Sequence, residues 1–389
     1  MKRFLYIVLL LLIRLINYLF PKDKCKILFD SFPDYSDNAR ALSDYIISEH
    51  KYDDYRIYWA VKSIPLILNT DRINFFTKEG KKGELQYIYH TMTAKYLFST
   101  EGSFFFANPH TQKFICLWHG TPLKKIARLQ NPNKIYFLYN CRCFISPSTF
   151  YQGIIANCFG HKKNEVIITG YPRNDLLFKP SNILGLLNIK KDEDIKLILY
   201  MPTFRQPLGG GYSDTSKNVF EDDFIRLSDK ENILMWNTFF YKHNILFIIK
   251  PHPSDNNQIR STSISNIIVL NNIDFAERDV QLYSLLYYTD ALITDFSSVF
   301  CDYMLLNRPI GFLITDLQEY EKGRGFVFDN PIDYMPGVII QSKDEFIDFC
   351  TRVVKGEDCE SQKREKLFPI YNDYCDANSC KRVVEYVNL

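Results

Sequence analysis

Five places in this 389-residue sequence put a cation, an imidazole, a hydroxyl or a carboxylate directly after an apolar run. In open parallel sheets ligands collect at the carboxyl ends of strands, so residues that end apolar runs are the ones able to act together. The first place is Ile115-Cys116-Leu117-Trp118-His119-Gly120-Thr121-Pro122-Leu123-Lys124-Lys125, where a strand delivers His119 into a Gly-Thr-Pro turn. An imidazole there suits a general base acting on an alcohol, because its ordinary pKa of about 6.5 lies near neutrality.

The second, Tyr200-Met201-Pro202-Thr203-Phe204-Arg205, ends on a guanidinium able to clamp a phosphate in bidentate fashion. The third, Ile248-Ile249-Lys250-Pro251-His252-Pro253, presents a cation and an imidazole, each followed by a proline that fixes its direction of projection. In the fourth, Ala291-Leu292-Ile293 breaks into Thr294-Asp295, then Ser297 and Ser298, while Val299, Tyr303 and Leu306 begin a helical stripe. Ser297 or Ser298 is expected to cap that helix and offer its free amides to a phosphate. The fifth, Thr315-Asp316-Leu317-Gln318-Glu319-Tyr320, precedes Gly323-Arg324-Gly325-Phe326 and places Glu319 where it can accept hydrogen bonds from ribose hydroxyls.

Taken singly, these are equally a turn histidine, a surface arginine, a structural Pro-His-Pro turn, a capped helix and a solvated helix start. Jointly, the last four occupy successive strand ends of one expected sheet. They would converge on a diphosphate from one side while His119 faces it from another domain, the layout of a nucleotide-diphosphate transferase.

The elements that must position these groups are short β-branched and aromatic runs alternating with longer amphipathic stretches, the pattern of βα units around a parallel sheet. Strands are expected at 25–30, 56–61, 73–77, 95–100, 114–119, 143–148 and 165–170, which complete one sheet. A polar, strand-poor linker at 179–195 precedes a second series at 196–203, 245–252, 267–272, 291–295 and 310–315. The glycines at 209–211 read as a loop, since no apolar helix starts directly after them.

At 46% hydrophobic and 24% charged residues the chain can bury two cores, and 47 basic against 45 acidic residues leave no global field for nucleic acid. The ten cysteines are scattered, and the Cys141-Arg142-Cys143 spacing is poor for zinc, so they read as reduced thiols. The opening MKRFLYIVLLLLIRLINYLF is the most membrane-like stretch. A helix from Phe4 to Phe20 reaches roughly 25 Å, short of the ~30 Å hydrocarbon core, and Arg14 interrupts it. No small-residue cleavage site follows. A helix lying in the cytoplasmic interface, with Lys2, Arg3, Arg14, Lys22 and Lys24 reaching the headgroups, is the favoured reading over a span or a buried first helix.

Together the segments resemble the CDP-glycerol glycerophosphotransferase family, whose members prime and extend teichoic acids and related capsular polymers. The resemblance covers roughly residues 90–330 and includes Trp118 to Lys125, Pro202 to Arg205, Lys250 to Pro253, Leu292 to Ser298, Asp316 to Tyr320, Gly170 to Asp175 and Arg324 to Phe326. It implies an α/β protein of GT-B type, two facing Rossmann-like domains; no clustered acidic residues at these strand ends demand a metal, and no cofactor is expected. Residues 1–22 would form the membrane-associated helix, 23–182 the acceptor domain, 190–375 the donor domain, and 376–389 a C-terminal helix crossing back. By motif position, His119 and His252 are catalytic. Arg205, Lys250, Thr294, Asp295, Ser297, Ser298 and Glu319 bind the donor, CDP-glycerol or a related CDP-alditol, and Thr121 and Lys124 lie on the acceptor side. One departure is Tyr334-Met335-Pro336-Gly337-Val338, where the family usually has a second proline after the glycine.

The reaction implied is attack of an acceptor hydroxyl on the β-phosphorus with release of CMP, the acceptor being a lipid-linked primer or growing polymer at the cytoplasmic membrane face. Two rivals remain open at this stage: a GT-B glycosyltransferase using a nucleotide sugar, and a non-catalytic capsule-assembly scaffold.

Overall fold

The computed structural model describes residues 2–65, 71–132, 141–203, 229–252 and 263–389. Two compact units account for the chain: residues 1–120, 127–178 and 373–389 form the first, and residues 121–126 with 179–372 the second.

The first unit is built on a seven-stranded sheet of order β3-β2-β1-β4-β5-β6-β7. Its strands are β1 (Asp23–Asp30), β2 (Arg56–Val61), β3 (Ile73–Thr77), β4 (Ala94–Ser99), β5 (Lys113–Cys116), β6 (Cys143–Ser146) and β7 (Val166–Ile168). Every pairing is parallel, so both faces are covered and the strands read as continuous apolar runs rather than alternating ones. Register sets Phe29 beside Trp59 and Phe98, and the rings stack at 5.1 and 5.3 Å between centroids. The seven strands expected from the sequence are all present; the first three end where expected, at Asp30, Val61 and Thr77, and the last four end one to three residues short.

The second unit carries β8 (Lys196–Met201), β9 (Ile245–Ile249), β10 (Ser263–Ile264), β11 (Ile267–Val269), β12 (Ala291–Thr294), β13 (Ile310–Leu313) and β14 (Val338–Ile340). Their order is β10-β11-β9-β8-β12-β13-β14. Only β10 against β11 is antiparallel among the described strands. The edge strands β10 and β14 were not expected: two and three residues are too short to show a period. Trp236, Phe240, Phe247 and Phe346 close the core on one face. In both units the strand order reverses beside the first strand, so the switch points fall at β1/β4 and β8/β12, where doubly wound sheets open toward ligands. Both units are Rossmann-like.

The helix Lys2–Tyr18 docks on the first unit through a narrow stripe. Ile13 and Asn17 are buried, and Asn17 Nδ2 donates to Phe106 O at 2.8 Å and to Gln112 Oε1 at 3.1 Å. Among its described side chains, Val8, Leu9, Leu11, Leu12, Leu15 and Ile16 remain exposed. Among the described residues no helix is long and apolar enough to cross a membrane.

Candidate functional site

After β5 the chain turns at Trp118, which adopts φ +49°, a conformation costing a bulky residue about 1 kcal/mol. The turn is held from outside. Asn38 Nδ2 donates to Leu117 O (3.1 Å) and Trp118 O (2.8 Å), and Arg173 Nη1 donates to His119 O (2.9 Å). The two clamping residues are themselves joined: Arg173 N donates to Asn38 Oδ1 at 3.1 Å, and Arg173 Nη1 also pairs with Asp37 Oδ1 at 2.8 Å. Three consecutive carbonyls are thus fixed by side chains from the start of the helix Asp37–Ser48 and from the Gly170–Asp175 motif. The Trp118 ring lies 4.5 Å from Phe159 and 4.1 Å from the His119 ring, leaving the imidazole exposed at the carboxyl end of the sheet.

In the second unit the register of β12 on β8 pairs Thr294 with Met201, and Thr294 Oγ1 donates to Met201 O at 2.6 Å. One residue further along, Asp295 accepts from Thr203 N at 2.9 and 3.0 Å, from Thr203 Oγ1, and from Ser297 N at 3.2 Å. Both residues are fully buried. Thr294 and Asp295 therefore tie strand ends together and shape the Phe296-Ser297-Ser298 loop.

The expected serine cap is not formed at Ser298. The helix Val299–Tyr303 is five residues long, and Ser298 at its N-cap has φ −65° and ψ −9°, with no side-chain cap hydrogen bond. A capping side chain needs extended backbone to swing back onto the first amides, and Ser298 is already helical. The Ser297 and Ser298 hydroxyls are half-buried at the sheet's carboxyl edge.

Lys250 N donates to Tyr200 O at 2.9 Å, which sets the end of β9 beside the end of β8. The Lys250 side chain is buried and its ammonium donates to Pro251 O at 2.8 Å. Burial pushes its pKa down from 10.5 to about 8, opposed by the charge of Asp274. His252, two residues on, is exposed. Glu319 is exposed in the first turn of the helix Leu317–Gly323 after β13. Thr294 ends β12, and Lys250, His252, Asp295, Ser297, Ser298 and Glu319 follow three strands, β9, β12 and β13, on the carboxyl edge of one sheet, with Thr203 just past β8 between them. Arg205 and the glycines at 209–211 lie outside the described residues.

Thr121 and Lys124 follow His119 closely in sequence, yet residues 121–126 belong to the second unit. Lys124 forms an antiparallel bridge with Phe326, Val327 N donates to Leu123 O at 2.8 Å, and Lys125 N donates to Gly325 O at 3.0 Å. Gly325 makes that ribbon possible with φ +73°. Phe326 packs with Phe296 at 5.1 Å and Tyr320 at 5.5 Å, so three separate motifs share one aromatic cluster. Thr121 is buried and Lys124 half-buried.

Asn38, Arg173 and Thr203 carry no role in the sequence reading. Arg173 and Thr203 stood inside quoted motifs, whereas Asn38 offers no signal beyond a polar residue at a helix start. Among the described residues no group of three or more His, Cys, Asp or Glu side chains could hold a metal ion.

A family model described as CDP-Glycerol:Poly(glycerophosphate) glycerophosphotransferase matches residues 12–389. The chain is 27% identical to the teichoic acid poly(glycerol phosphate) polymerase of Bacillus spizizenii (strain W23), covering 94% of this chain and 93% of that one. It is also 27% identical to the teichoic acid glycerol-phosphate transferase of Staphylococcus aureus, with the same two shares. Against the teichoic acid poly(glycerol phosphate) polymerase of Bacillus subtilis (strain 168) it is 26% identical and spans about half of that relative's length, 49%. Among solved structures, the wall teichoic acid polymerase TagF superposes with a TM-score of 0.71 at 21% identity, over 94% of this chain and 89% of that one. That likeness shows the fold, while the family model runs through both sheets and every strand-end group described above. The chain belongs to the CDP-glycerol:poly(glycerophosphate) glycerophosphotransferase family.

Proposed function

We propose that this chain carries out its family's reaction with His119 as base, moving glycerol phosphate from CDP-glycerol to a hydroxyl of a lipid-linked primer or growing polymer. The acceptor oxygen attacks the β-phosphorus, its proton passes to the His119 imidazole, and the bond to the bridging oxygen breaks to release CMP. Phosphoryl transfer asks mainly for positioning and charge neutralisation. Lys250, His252 and Arg205 supply positive charge, the Ser297 and Ser298 hydroxyls donate to the phosphates, and Glu319 accepts from the ribose. Thr294 and Asp295 act one step back by fixing the loop. Thr121 and Lys124 serve the acceptor side.

The observation that carries the donor reading is the gathering of Lys250, Thr203, Asp295 and the two serines on adjoining strand ends beside the β8/β12 switch point. The acceptor reading leans on the helix Lys2–Tyr18, where Leu9, Leu11, Leu12, Leu15 and Ile16 are exposed while Asn17 anchors it, with Lys22 and Lys24 at its foot. We read this as an interfacial anchor on the cytoplasmic face.

The test incubates detergent-solubilised protein with CDP-glycerol and a synthetic lipid-linked disaccharide, with chelator present, and follows CMP. CMP release that is lost in His119→Ala supports the reading. Turnover with CDP-ribitol or a UDP-sugar but not CDP-glycerol replaces the donor, and full activity in His119→Ala discards the mechanism.

A further inference from the structure

The reaction places a demand of orientation on His119. A base on a surface turn must point one way while a hydroxyl approaches, and misplacement by about 1 Å costs on the order of 100-fold in rate. The imidazole is exposed, and the Trp118 ring lies 4.1 Å from it. Its backbone is another matter, since the carbonyls of residues 117, 118 and 119 are all gripped.

We infer that Arg173 is a positioning residue for the catalytic base: held by Asp37 and joined through its amide to Asn38, it fixes the His119 peptide and thereby the backbone from which the imidazole projects. The inference rests on the reading of His119 as base.

The chemistry of the clamp supports a dedicated role. Arg173 is 5% exposed, and its Nη1 reaches both an Asp37 carboxylate oxygen and the His119 carbonyl. The carboxylate fixes the guanidinium plane, and the plane sets the direction in which the N–H meets the carbonyl, a geometry that a lysine ammonium does not impose. Asn38 is fully buried and spends both amide hydrogens and its oxygen on the same assembly. Trp118 and Asp37 both have positive φ, +49° and +61°, and neither is glycine. Strained backbone of this kind persists only where surrounding bonds over-determine it. Two residues beyond Arg173, Asp175 accepts from the amides of Ser379 and Cys380 at 2.8 and 2.9 Å, so the far end of the motif is fastened to the C-terminal helix Ser379–Tyr386. The motif is therefore a stiff strut rather than a free loop.

The experiment uses full-length protein, CDP-glycerol and the lipid-linked disaccharide, and compares Arg173→Ala, Arg173→Lys and His119→Ala. Expected for Arg173→Ala is a fall in kcat on the order of 100-fold with CDP-glycerol affinity by calorimetry within about twofold, since the donor groups lie on the other unit. Arg173→Lys should fall about tenfold, keeping the charge and losing the planar guanidinium whose Nη1 serves both partners. Added guanidinium at non-denaturing concentration should restore much of the activity of Arg173→Ala and none of that of His119→Ala. Arg173→Ala at parental kcat, with His119→Ala inactive, overturns the inference alone. A loss that guanidinium does not rescue, accompanied by an equal loss of donor affinity or of the thermal transition, makes Arg173 a folding residue and also overturns it. Full activity in His119→Ala removes the base and the inference with it.

Discussion

Thr203 gives both its backbone amide and its hydroxyl to the carboxylate of Asp295, and this pair bolts the end of β8 to the end of β12 across 92 residues of sequence. The same carboxylate takes the amide of Ser297, so one buried acid sets two strand ends and the start of the serine loop.

Asp295→Ala leaves three buried donors unsatisfied. At about 1–3 kcal/mol for each orphaned group, with partial relief by water, the expected loss is about 3 kcal/mol. Denaturant unfolding should show the midpoint falling. Asp295→Asn, which keeps one acceptor oxygen, should lose about half as much while raising the KM for CDP-glycerol.

Lys250 should impress its depressed pKa on donor use. In the free enzyme the ammonium loses its proton near pH 8 rather than 10.5, because burial disfavours the charge. As pH rises through 8, kcat/KM for CDP-glycerol should therefore fall, and Lys250→Arg should flatten that limb. For stability the sign is opposite: between about pH 8 and 10.5 the unfolded chain holds the proton that the folded one has released, so this group's contribution to stability increases with pH. Thermal unfolding of parent and Lys250→Met across that window separates the two effects.

His90 gives the acid-side counterpart. Its ring lies 4.5 Å from Tyr58 and 4.6 Å from Phe76, and burial, aided by the charge of Lys26, lowers its pKa from 6.5 to about 4. A histidine held neutral in the folded state costs nothing above pH 6.5. Below that the unfolded chain gains the proton first, and stability falls until about pH 4. The ring is half-buried, so with solvent screening the loss is about 1 kcal/mol. His90→Phe should remove this portion of the acid sensitivity, read from unfolding midpoints at pH 7 and pH 4.5.

The helix Lys2–Tyr18 separates attachment from folding. Leu11, Leu12 and Leu15 are 58%, 52% and 65% exposed, so replacing all three with Ser should cost the fold less than about 0.5 kcal/mol each. Binding to vesicles of anionic phospholipid should drop at least tenfold by cosedimentation. Asn17→Ala should do the reverse, weakening docking through Phe106 and Gln112 while leaving the apolar stripe intact. Unchanged vesicle binding by the triple variant would retire the anchor reading.

What the sequence determined by itself was local. Apolar runs such as 245–249 and 291–294 name their own strands, and the polar residue after each run falls at the carboxyl edge whatever the rest of the chain does. That placed His119, Lys250, Ser297 and Glu319 at strand ends before any contact was known. Tertiary structure decided how those ends are held. The Arg173 amide meets the Asn38 side-chain oxygen across 135 residues, and Leu123 to Lys125 pair with Gly325 to Val327 through backbone groups. It also put His119 and Thr121, two positions apart, in different units. Local periodicity records which face of an element is apolar. A hydrogen bond from a backbone group to a partner far along the chain leaves no such record, because its partners are chosen by how the sheets close.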